Sequence, residues 1–176
     1  MPPAPKDKVA NLWDFSLRQY ARADVADACL RLQDEHGVNV NLLLWCVWLE
    51  QRGLVLDAAR LRSAQKRIHA WDEHYVVPLR QLRRRMKAEF GVADPGIEQV
   101  RSQIKQAELL AEKQLQSLLE ILPQSWDKAV AANAHLPTAG ENLRFYLQQL
   151  NVADGTIMEL LALLGDGADS VTQERI

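Results

Sequence analysis

Two stretches hold the side chains best able to do chemistry, and both lie between residues 69 and 87. His69-Ala-Trp-Asp-Glu-His74 places two imidazoles and two carboxylates within one short run. On a helix His69 neighbours Glu73 at i,i+4 and Asp72 at i,i+3. His69, Asp72, Glu73 and His74 could therefore serve as a metal or acid–base site. The plainer alternative is a surface network in which the acids pair with His69 or with arginines a turn away. It is preferred, because two imidazoles and two carboxylates on one helix do not define a coordination shell.

The second stretch is Pro78-Leu-Arg-Gln-Leu-Arg-Arg-Arg-Met-Lys87. Arg80, Arg83, Arg84, Arg85 and Lys87 follow closely with no acid among them. If Leu79, Leu82 and Met86 face a core, Arg80, Arg84 and Lys87 line one flank and Arg83 another. Like charges at i,i+4, such as Arg80 with Arg84, destabilise an isolated helix by a few tenths of a kcal/mol. Such a ridge needs carboxylates from elsewhere in the chain or an external anion. The expected binding surface is Arg80, Arg83, Arg84 and Lys87 with Trp71, facing an acidic protein surface or RNA.

Other chemistries lack their residues. No Gly-x-Gly-x-x-Gly, no phosphate-binding Gly-Lys-Ser/Thr loop and no Gly-x-Ser-x-Gly elbow occurs. Cys29 and Cys46 sit in apolar helical surroundings, without a second Cys or His at zinc spacing, and read as reduced core residues. Repeated Glu-x-x-His pairs of a di-iron bundle are absent, and Asp24 with Asp27 has no second acidic cluster to match it. No cofactor is expected. A non-enzymatic binding or adaptor protein is the leading expectation, and an enzyme or metal protein using the His69–His74 cluster is the alternative.

The net charge of −2 conceals a segregated layout. Residues 52–87 carry ten Lys or Arg against three Asp or Glu, whereas residues 88–176 carry six against thirteen. One half can neutralise the other, or the asymmetry can serve a partner. The proline-rich, charged start Met-Pro-Pro-Ala-Pro-Lys-Asp-Lys has no apolar core, and no later segment is a membrane span. A cytoplasmic protein is expected, with no membrane partner and no DNA-binding motif; homo-oligomers stay open.

What must position these residues is a set of helices. Leu42 to Leu49 is eight apolar residues in a row, too short for a bilayer, which takes about 20. As a helix it has no polar face and must be enclosed on nearly all sides. Asn39 or Asn41 caps its start and Gly53 ends it. Before it, helices run over Leu12 to about Ala21 and Val25 to about Glu35. After it, Leu61, Ala64, Ile68, Trp71, Tyr75, Leu79, Leu82 and Met86 step by three or four residues, predicting one helix over 57–90 kinked at Pro78. Asp94-Pro95 starts another over 95–122, with its stripe at Ile97, Val100, Ile104, Ala107, Ala111, Leu115, Leu118 and Leu122. Shorter helices follow at about 125–134, 141–150 and 156–164. The predicted fold is all-α: a single-domain antiparallel bundle, residues 9–165, around the buried central helix 42–49. Residues 1–8 read as a disordered arm and 166–176 as a flexible tail.

Asn11-Leu-Trp-Asp-Phe-Ser-Leu17 with Tyr20, and Leu44-Trp-Cys-Val-Trp-Leu49 followed by Trp71 and Val77-Pro-Leu-Arg80 with Arg83 and Lys87, resemble an uncharacterised family of small proteobacterial proteins. That family is a domain of unknown function, and the resemblance covers about residues 10–90. It implies a bacterial cytoplasmic protein and supplies no activity, cofactor or catalytic residue.

Overall fold

Capping side chains set four of the helix starts. In the computed structural model, which describes residues 10–126 and 136–165, Asn11 opens α1 (Leu12–Tyr20) by accepting from the Asp14 N–H at 2.8 Å. Asn39 opens α3 (Val40–Glu50) by accepting from Asn41 and Leu42. Each carboxamide occupies backbone donors that a helix start leaves unpaired. Asp57 does the same for α4 (Ala58–Trp71), and Asp94 for α6 (Pro95–Glu120), where Pro95 costs no hydrogen bond. The second helix, α2 (Ala23–His36), begins two residues earlier than predicted and ends at Gly37, whose φ of +66° suits glycine. The remaining helices are α5 (Val77–Phe90), α7 (Glu141–Gln149) and α8 (Asp154–Gly165).

Every regular element among the described residues is helical. The predicted helix 125–134 falls outside the described residues from 127 onward, as do the arm 1–8 and the tail 166–176. Within them Leu122–Ser125 is a short 3-10 turn. The chain divides into two compact units. Among the described residues, one is built from residues 10–56 and 136–165, the other from Asp57–Trp126.

The first unit is organised by α3, which packs against α1, α2 and α7. Leu43, Trp45, Cys46 and Leu49 are fully buried, and only Val47 and Glu50 of this helix reach intermediate exposure. Enclosure on all sides is what its unbroken apolar run requires. The start of α7 has no capping side chain of its own, because Gly140 stands at the cap with φ +81°. Glu50 of α3 supplies the acceptors, taking the N–H groups of Gly140, Asn142 and Leu143 at 2.7 to 3.1 Å. Burial pushes the Glu50 carboxyl up, and those three N–H donors pull it back. Asn142, fully buried, accepts from Leu56 N–H and donates to the Leu54 carbonyl, both at 2.7 Å.

The second unit is a helical hairpin. Its first arm runs without a break from Ala58 to Phe90, because α4 passes through a π turn at Asp72–Val76 into α5. Its second arm is α6, which packs against α4, the π turn and α5. The predicted kink at Pro78 is realised as that wide turn. Proline has no N–H to give and its ring crowds the carbonyl four residues back. The π turn lies just before it, with the Val77 N–H donating to the Asp72 carbonyl five residues earlier. One residue is thereby added to the turn, and the buried stripe changes phase. Val76 is fully buried while Tyr75, predicted for the stripe, is 53% exposed.

Candidate functional site

The phase change decides what happens to the cationic ridge. Counting from Val76 in place of Tyr75, the next inward positions on α5 are Arg80 and Arg83, so both turn toward α6. There they meet Glu108, which is 5% exposed, and Glu112. Arg83 donates to Glu108 from Nε at 2.5 Å and from Nη2 at 3.2 Å. Arg80 donates from Nε to Glu108 at 3.3 Å and from Nη2 to Glu112 at 2.8 Å. Two guanidinium groups thus share two carboxylates in a charge-assisted network.

The electrostatics follow from that geometry. The hydrogen bond to Glu108 holds the Arg83 pKa above its ordinary value, against the cost of burial. Burial pushes the Glu112 carboxyl up, Arg80 opposes the shift, and the nearby charges of Glu108 and Asp72 add to it. The sequence set Arg80 and Arg83 on different flanks and left open whether carboxylates of the chain or an external anion would meet them; the structure places both against internal carboxylates. Glu108 and Glu112 are absent from the predicted site. The signal lay in the alternating steps of four and three at Ile97, Arg101, Ile104, Glu108, Ala111 and Leu115, a period of 3.5 that continues through charged residues. A purely apolar stripe missed it by taking in Val100 and Ala107, which are exposed.

The rest of the ridge faces solvent. Arg84, Arg85 and Lys87 are exposed, and α5 contains no buried residue at all. Trp71 does not project from it: its indole N–H donates to the Ala111 carbonyl at 2.9 Å, and its ring lies tilted against Tyr75, with centroids 4.6 Å apart. His69 Nε2 lies 3.1 Å from a Glu73 oxygen, with both side chains well exposed. Among the described residues no group of three or more His, Cys, Asp or Glu is placed to hold a metal ion. No helix among them is long and apolar enough to cross a membrane.

A family model described as a protein of unknown function (DUF2390) matches residues 11–119. The match extends past residue 90 and takes in both arms of the hairpin, including Arg80, Arg83, Glu108 and Glu112. No curated protein and no solved structure matches the chain.

Proposed function

The chain belongs to the DUF2390 family of proteins of unknown function, and we propose that it is a non-enzymatic binding or adaptor protein of the bacterial cytoplasm. Its contact surface is the outer flank of α5, Arg84, Arg85 and Lys87, and its partner is an acidic protein surface. The observation that carries this is the exposure of these three cations on a helix with no buried residue, beside two arginines already neutralised from within.

An acidic protein is favoured over RNA on two grounds. No aromatic side chain stands between Tyr75 and Phe90 to stack on bases. The unit also balances twelve Lys or Arg with nine Asp or Glu, a weak field for a polyanion. The test is affinity purification from the native host with the wild type and with a variant carrying Arg84→Gln, Arg85→Gln and Lys87→Gln. The variant should fold normally and lose the partner, and wild-type capture should weaken as salt is raised. Equal capture by the two proteins would overturn the proposal, and nuclease-sensitive capture would transfer the surface to RNA.

A further inference from the structure

Helices α2 and α8 pack together in the first unit, and their seam holds a gap of about 110 Å³. Ala28, Leu32 and Leu160, all buried, form its floor. Arg31, Glu35 and Glu159, all exposed, stand at its rim. On α2 the lining residues recur at i, i+3, i+4 and i+7, the spacing of one helix face. Ala28 brings only a methyl group to a floor otherwise made of leucines, which leaves the space. The rim carries both signs of charge. Arg31 stands one turn from Glu35, with Glu159 on the opposite wall, and among the described residues no ion pair joins it to either.

We infer that this gap binds a free aliphatic α-amino acid, its side chain on the floor and its two charged groups at the rim. A cavity of about 150 Å³ lined by apolar side chains holds benzene, so this smaller gap takes an alkyl group of about three or four carbons. The ligand carboxylate accepts two parallel hydrogen bonds from the Arg31 guanidinium, whose planar fork matches it. The ligand ammonium meets Glu35 and Glu159.

Simpler occupants answer the site in part. An alkyl carboxylate sets its charge against two glutamates, and an alkylamine leaves the guanidinium unmet. A wholly apolar group covers three charges and pairs none of them. A zwitterion with a small apolar body matches the floor and both signs of charge together. The site belongs to the first unit and uses none of the α5 cations. Because it is small and its rim is open to water, the dissociation constant should be on the order of 1 mM.

Titration of the isotope-labelled full chain with L-leucine, followed by nuclear magnetic resonance, tests this directly. Amide signals of residues 28–35 and 156–163 should move along a saturable curve. Isocaproate, which is leucine without its amino group, and isoamylamine, which is leucine without its carboxylate, should each bind about tenfold more weakly. Arg31→Gln should weaken leucine about tenfold and leave isoamylamine unchanged. Glu35→Gln with Glu159→Gln should weaken both. These variants alter exposed positions and should keep the wild-type fold. Ala28→Leu fills the floor and should abolish binding of all three compounds. No saturation at concentrations about twentyfold above the expected constant, equal binding of the three compounds, or rim variants that bind leucine like the wild type would each overturn the proposal.

Discussion

Arg83 grips Glu108 with two donors of its guanidinium, Nε at 2.5 Å and Nη2 at 3.2 Å, across the seam between α5 and α6. Arg80 reaches the same carboxylate from one turn earlier. Removing that carboxylate leaves Arg83 without its carboxylate partner and Arg80 with Glu112 alone. Glu108→Ala should therefore destabilise the protein by about 3 kcal/mol, as breaking a buried ion pair does. Arg84→Gln with Arg85→Gln, at exposed positions, should change stability by no more than about 0.5 kcal/mol. Chemical denaturation measures both, and similar values for the two variants would contradict the separation of inner from outer ridge.

Glu112 gives stability a dependence on pH whose sign is fixed. Its folded-state pKa is raised above 4.5, chiefly by burial, so in that range the native state binds its proton more tightly than the unfolded state does. Stability from this group is fully present below the ordinary value and is lost as pH rises through the raised one. Glu112→Gln cannot titrate and should lack that decline. Denaturation of wild type and variant across mildly acidic pH should give curves that diverge as pH rises, with the wild type falling. Parallel curves would show that Arg80 cancels the effect of burial.

Both cysteines should be inert in the folded protein. Burial pushes the Cys29 thiol up to about 12, and Cys46 well above its ordinary value. At pH 8 only about one Cys29 thiol in ten thousand is then ionised. A thiol reagent should label neither residue in the native protein and both after denaturation. Rapid native labelling of either would mean that the first unit opens locally.

The central helix has its own test. Leu44 is 2% and Trp48 3% exposed, and the Trp48 N–H donates to the Ala10 carbonyl at 3.0 Å with the Arg52 guanidinium over its ring. Leu44→Ala or Trp48→Ala should each cost about 2–5 kcal/mol through the cavity left behind. A near-neutral thermal shift for both would remove α3 from the centre of its unit.

Local chemistry carried much of the fold. Asn11, Asn39, Asp57 and Asp94 cap the helices that they were predicted to start or precede, because an Asn or Asp side chain satisfies nearby backbone donors wherever the chain is placed. The burial of residues 42–49 was equally legible, since eight apolar residues leave no face for water. The network at Glu108 was not. It depends on the π turn at Asp72–Val76, which arises where a proline meets a helix held in place by α6. Pro78 announces a disturbance in the sequence, but it does not say whether the chain will bend, break or take in an extra residue. That choice puts Val76 in the core in place of Tyr75 and brings Arg80 and Arg83 against α6, beside the part-buried Leu79, Leu82 and Met86. The sequence by itself determined helices, caps, a buried core and a surplus of positive charge on one segment. Which of those charges are neutralised inside and which are left facing outward was decided only when α6 packed against the shifted face, because a carboxylate 25 residues away acts on Arg83 through space and not through the chain.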